Sequence, residues 1–183
     1  MKMNVQTMTL VAVMTAVMCI LGPMSIPIGP VPVSLTVLTV YLAVYILGMR
    51  YGTMAYIIYL LIGLVGAPVL SGYSGGPAKV FGPTGGYLIS FILMALISGW
   101  FIDHYYKKIP MQVLGMVLGL IVCYIFGTTW LAVLAHMDAK AALAAGVIPF
   151  IPFDLIKIAI SVIVGRAVRN RLAQMLPGRS LAA

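Results

Sequence analysis

Residues 111–131 read MQVLGMVLGLIVCYIFGTTWL, an apolar run without a charged residue. A bilayer core of about 30 Å is crossed by about 20 helical residues, so this run alone is long enough to span it. Five further apolar segments accompany it, at about Met3–Leu21, Val33–Met49, Thr53–Val65, Tyr87–Ile102 and Pro152–Val168. The Thr53–Val65 segment is short for a crossing, and a Gly-rich stretch follows it. Unpaired backbone groups in lipid cost several kcal/mol, so each span must close its own hydrogen bonds as a helix. No run alternates in the manner of a membrane barrel. The expected fold is therefore all-α. It is a six-transmembrane-helix bundle in one integral membrane domain over residues 1–183, with a Gly-rich outward loop between helices three and four.

Composition points the same way. Of 183 residues, 63% are apolar and only 8% are charged. Mean hydropathy is +1.14. Soluble domains run near half apolar and a quarter charged. This excludes a disordered chain and a nucleic-acid-binding domain, despite a net charge of +8 from 11 basic and 3 acidic residues. There is no Glu; the acids are Asp103, Asp138 and Asp154. With two His, that inventory assembles no nucleophile–base–orienter set and no metal triad, so neither an enzyme nor a cofactor is expected. His136 and Asp138 lack a third ligand, and His104 beside Asp103 reads as a solvated loop. Cys19 and Cys123 lie in apolar runs and are expected to pack, without a disulfide or metal. The N-terminal run after Lys2 has no small-x-small cleavage site and reads as a retained first helix.

Lysine and arginine set the expected orientation. Six spans place both termini on one side, with Lys2, Arg50, Lys107, Lys108, Arg166, Arg169, Arg171 and Arg179. The opposite side carries only Lys79 and Lys140, and Lys157 falls inside the last span. The positive-inside rule makes the crowded side cytoplasmic, so both termini are expected there, in the cell membrane. The segments Pro23–Pro32, Gly66–Gly86 and Ala132–Phe150 then face outward.

Two outward features carry chemistry. The first is GAPVLSGYSGGPAKVFGPTGG, residues 66–86. Its glycines and prolines cannot continue a helix. Bare backbone, as at Gly85 and Gly86, lets a ligand come close and offers N–H donors. Tyr73, Lys79 and Tyr87 offer stacking and hydrogen bonds. The alternative is an ordinary extracellular loop. The second is PFIPFDLIK, residues 149–157. Pro152 suits the first helical position of the last span. Asp154 then lies in the first turn, favoured by the helix dipole, and Lys157 follows three residues on, on the same face. Charges in a span are costly and usually mark function. The alternative is a structural ion pair tethering the helix. In span one, Ala12 and Ala16 have the small-x-x-x-small spacing that lets another helix approach closely. No G-x-x-x-x-G-K-[ST] occurs, so an ATP-driven process needs its motor on another subunit.

These motifs resemble the BioY family, the biotin-specific substrate-binding subunits, or S components, of energy-coupling factor transporters. The resemblance covers nearly the whole chain. It runs through SIPIGPVPVSL at 25–35, LLIGLVGAPV at 60–69, GG followed by FGPTGGYL at 75–88, and PFIPFDLIK at 149–157. It implies a six-helix bundle that captures biotin at its outer face. Asp154 and Lys157 would bind polar groups of biotin, with the ureido ring foremost, while the Gly-rich loop and Tyr87 close over the ligand. Ala12 and Ala16 would dock on a transmembrane coupling subunit served by ABC-type ATPases.

The residues themselves support a polar-headed, apolar-bodied ligand without naming it. A pocket with Trp130, Tyr and Phe side chains, one Asp–Lys pair and loop amides suits a ligand such as biotin, or another vitamin of similar mixture. An ion-driven secondary transporter is disfavoured by the single intramembrane carboxylate candidate and the lack of an inverted repeat.

Overall fold

A computed structural model describes residues 4–27 and 31–175. Lys2, Met3, Arg179 and residues 28–30 lie outside the described residues. The order is α1 (Val5–Leu21), β1 (Ser25–Ile26), β2 (Val33–Ser34), α2 (Thr36–Leu64), α3 (Pro77–Val80), α4 (Gly85–His104), α5 (Ile109–Leu134), α6 (Ala139–Gly146) and α7 (Ile151–Met175). The architecture is helical, apart from the short antiparallel β1–β2 pair, in which Ser25 faces Ser34. By length and apolarity α2, α4 and α5 can each cross a membrane, as can the α6–α7 pair, which bends by 41°. α2 holds the centre, packed against α1, α4 and α7, and α4 packs on α5.

Two expected segments, Val33–Met49 and Thr53–Val65, largely merge into α2, with Val33 and Ser34 in β2 and Val65 just past its end. Gly48 interrupts its helical backbone with φ 80° and ψ 172°, a conformation open essentially to glycine alone. Beyond it, a Cβ on Gly52 would stand 2.7 Å from the Cα of Val44. In a straight helix residues 44 and 52 would be about 12 Å apart. The chain therefore doubles back at Gly48, and α2 is two arms, 36–47 and 49–64, in backbone contact at Gly52.

A helix break orphans N–H groups on one side and C=O groups on the other. Here one ion pair serves both. Asp103, near the end of α4, accepts from the Met49 N–H at 2.7 Å. Arg169 of α7 donates to Asp103 Oδ1 at 3.0 Å and to the Tyr45 carbonyl at 3.2 Å. Its guanidinium also lies 4.6 Å from the Tyr106 ring centroid. The reading of Asp103 as part of a solvated loop is thus corrected. It has spare lone pairs for an orphaned amide and an arginine partner 66 residues away, which local sequence does not show.

The remaining core is tied by buried tyrosines. Tyr41 donates to the Met116 carbonyl at 2.9 Å, Tyr56 to the Leu88 carbonyl at 2.7 Å, and Tyr45 to Gln112 Oε1 at 3.0 Å. Each joins an arm of α2 to α4 or α5, the usual way polar side chains hold membrane helices together.

The outward segments are more structured than expected. Residues 66–86 fold back on the helix ends. Leu70 is fully buried, Gly76 N–H donates to Gly63 O at 2.7 Å, and α3 occupies the middle. Residues 132–150 contain α6, capped by Asp138, whose carboxylate accepts from Ala141 N–H at 2.9 Å. Asp138 is therefore committed to the backbone.

Replacing Arg169 with Met should strand Asp103 and the Tyr45 carbonyl together. Breaking a buried pair from one side costs roughly 3–5 kcal/mol. Thermal unfolding in detergent should show a large drop for Arg169→Met and little change for Arg171→Met, at an exposed position.

Candidate functional site: a buried acid–base pair in an apolar cavity

The first two turns of α7 face a small cavity of about 50 Å³ at the end of the bundle opposite the Asp103–Arg169 pair. α7 begins at Ile151, with Pro152 in its first turn. That turn presents Asp154, only 2% exposed, and Lys157, 6% exposed. Lys157 Nζ donates to Asp154 Oδ1 at 2.8 Å. From α5, the Tyr124 hydroxyl donates to Asp154 Oδ2 at 2.7 Å. Both carboxylate oxygens are thus engaged, one from within α7 and one from across the cavity. An isolated buried charge would cost several kcal/mol. The pair is neutral as a unit and leaves spare lone pairs and ammonium protons facing the hollow.

The rest of the wall is largely apolar. Phe91, Leu88 and Leu120 line it from α4 and α5, and Phe150 from the turn before α7. Val31, Pro32, Ser71 and Thr84 approach from the loops and Ser34 from β2. Cys123 also lines it, its Sγ accepting from Ser90 Oγ at 3.0 Å. A cavity with one dry ion pair and aromatic walls suits a compact ligand that is polar at one end and apolar elsewhere.

Of the residues singled out in the sequence, Asp154, Lys157 and Tyr87 come together here. The Tyr87 ring forms wall, but its hydroxyl is already spent. It shares a hydrogen bond with Thr128 Oγ1 at 2.9 Å and donates to the Gly146 carbonyl at 3.1 Å. Tyr87 thereby fastens α6 over the cavity. Gly85 and Gly86 belong to helix packing instead. A Cβ on Gly85 would stand 1.8 Å from the Val80 carbonyl oxygen, and one on Gly86 would stand 2.3 Å from Trp130 Cβ. Trp130 does not line the cavity; it donates to the Gly82 carbonyl at 3.0 Å and stacks on Phe126. Tyr73, 68% exposed at φ 53°, lies outside the cavity. It borders an outer hollow shared with Ser25, Ser34, Phe153 and Lys157. Lys79 sits on α3 away from the cavity wall, and burial pushes its ammonium pKa down.

Tyr124, Phe91 and Phe150 were not foreseen. Each sits in an ordinary apolar context, and the 30 residues between Tyr124 and Asp154 leave no local signal of their bond. On the opposite flank of the molecule, Ala12 and Ala16 are exposed. They line an apolar groove between α1 and the second arm of α2, with Met8, Met54 and Ile58.

The chain is similar along its length to known proteins. The BioY family matches residues 1–174. The biotin transporter BioY2 of Lactococcus lactis is 37% identical over 168 residues, covering 91% of this chain and 92% of the relative. The biotin transporter BioY of Thermotoga maritima is 38% identical over 152 residues, covering 83% of this chain and 89% of the relative. The crystal structure of an S component for biotin, from an ECF-type ABC transporter, superposes with a TM-score of 0.85 at 32% identity. It covers 92% of this chain and 95% of that one. With the family matched over residues 1–174, the chain belongs to the BioY family.

Proposed function

We propose that this chain is the membrane-embedded, substrate-binding subunit of a vitamin uptake transporter, and that its ligand is biotin. The observation that carries the reading is the buried Asp154–Lys157 pair at the head of an apolar cavity. A cyclic urea presents N–H donors beside a carbonyl acceptor. Asp154 meets the donors and Lys157 the acceptor, as charge-assisted hydrogen bonds in a water-poor site. Phe91, Leu88 and Phe150 cover the thioether ring and chain. The chain binds and releases rather than reacts. Its ligand sits where the first turn of α7 and the roof over it can alternately shield and expose it.

The same reading assigns six crossings, with the two arms of α2 as separate passes and both termini cytoplasmic. The distribution of lysine and arginine supports this. Ala12 and Ala16 are the docking patch for a transmembrane coupling subunit, which in turn meets ABC-type ATPases. Their exposure beside an apolar groove supports that role. Lipid covers the remaining apolar faces.

Titration of the purified protein in nanodiscs with biotin, thiamine and riboflavin should show stoichiometric binding of biotin alone, without ATP. Absence of biotin binding by folded protein would refute the reading. Asp154→Asn should weaken biotin by about ten- to a hundredfold, the value of a hydrogen bond to a charged group. Lys157→Ala should do at least as much, because it also strands the Asp154 charge. Ala12→Trp or Ala16→Trp should leave biotin binding intact while reducing co-purification of the coupling subunit and uptake, since a tight helix contact cannot absorb an indole. Undiminished complex and uptake would make the two alanines ordinary lipid-facing residues.

A further inference from the structure

We infer that Tyr124 is a positioning residue for ligand recognition, acting through Asp154. The inference rests on the reading of Asp154 as the ligand's acceptor. Three observations carry it. First, the Tyr124 hydroxyl donates to Asp154 Oδ2 at 2.7 Å, while Lys157 holds Oδ1 at 2.8 Å. Second, Lys157 and Asp154 share α7, so their bond fixes nothing across the cavity; Tyr124 comes from α5. α7 packs chiefly on α2 and meets α5 only sparsely. The Tyr124–Asp154 bond therefore spans a poorly packed seam. Third, Tyr124 itself lines the cavity.

A carboxylate on one short side chain still turns about its final bond. With a donor on each oxygen, the plane of the Asp154 carboxylate is set before the ligand arrives. Its remaining lone pairs then point in fixed directions. A rigid ring with donors at a fixed separation benefits from such an acceptor, because less orientational freedom is lost on binding. Removing the hydroxyl releases Oδ2 and the seam together. The carboxylate can then swing toward Lys157 and close the bidentate pair that competes with the ligand.

Tyr124→Phe deletes one oxygen and keeps the ring. Titration in nanodiscs should show about a tenfold weaker affinity, in line with loss of a hydrogen bond to a charged group, in protein that is still folded and melts somewhat lower without ligand because the α5–α7 bond is lost. Biotin and desthiobiotin share the ureido head and should lose affinity equally. p-Aminophenylalanine at position 124 puts an N–H donor where the O–H stood, and should restore binding to within about threefold, since a neutral donor to a carboxylate is regained. That replacement also serves if Tyr124→Phe yields little folded protein, because poor rescue by a folded, donor-bearing ring overturns the proposal. In the Asp154→Asn background the effect of Tyr124→Phe should shrink below about twofold, as coupled residues are non-additive. Binding by Tyr124→Phe equal to wild type overturns the proposal. So does a full loss that persists beside Asn at 154, which would make Tyr124 a direct contact. If Asp154→Asn binds biotin like wild type, the assignment of Asp154 itself fails, and that outcome is distinct from the others.

Discussion

The Asp103–Arg169 pair is the contact on which the rest of the bundle depends. A chain that reverses within a residue or two between packed helices leaves several backbone groups without helical partners. The reversal at Gly48 is tolerated because one carboxylate takes the Met49 amide and one guanidinium takes the Tyr45 carbonyl. Removing either group would take from the other its charged hydrogen-bond partner. The pair also fixes which helices are neighbours. It joins α4, both arms of α2 and α7 at a single point, and the buried tyrosines extend those contacts along the helices. The cavity at the far end inherits its geometry from this anchor, because α7 carries both Arg169 and the Asp154–Lys157 pair.

Much of this was legible in the sequence. The apolar run at 111–131 announces a membrane helix by length alone, and α5 contains it. The acid and base at 154 and 157 were legible because helix geometry puts residues three apart on one face and the apolar surroundings make a charge conspicuous. What stayed hidden depends on pairing across sequence distance. Asp103 looked like the flank of a span, since its partner lies 66 residues on. Tyr124 looked like one more aromatic in a lipid-facing helix. Gly85 and Gly86 looked like ligand-facing backbone, yet bareness serves close packing as well, and Val80 and Trp130 fill the space. Glycine frequency alone does not separate those uses. Tyr73 and Lys79 were placed near the ligand by loop membership, a criterion that ignores how the loop folds back.

The lidding of the cavity shows a similar division. Pro152 and the helix dipole made the start of α7 predictable. The roof was not, because α6 is short and of mixed polarity. It is held by Tyr87, whose hydroxyl reaches α5 and α6 at once. Glycine at 127 and 146 gives the tyrosine room, with any Cβ there falling within 2.3 Å of its ring or 2.1 Å of its hydroxyl.

The division of α2 has a geometric outcome for the hollow itself. At 1.5 Å per residue the arm 36–47 is about 18 Å long, some 12 Å short of the hydrocarbon slab. That arm is almost wholly enclosed by its neighbours. The cavity lies there, with Val37 of the arm's first turn and Val31, Pro32 and Ser34 just before it forming part of its wall. The void is thus made by curtailing the backbone of a central helix, with longer helices as its palisade. A chamber built in this way does not rely on small side chains to stay open. Its place is set first by the length of a backbone, and only then by the side chains that line it.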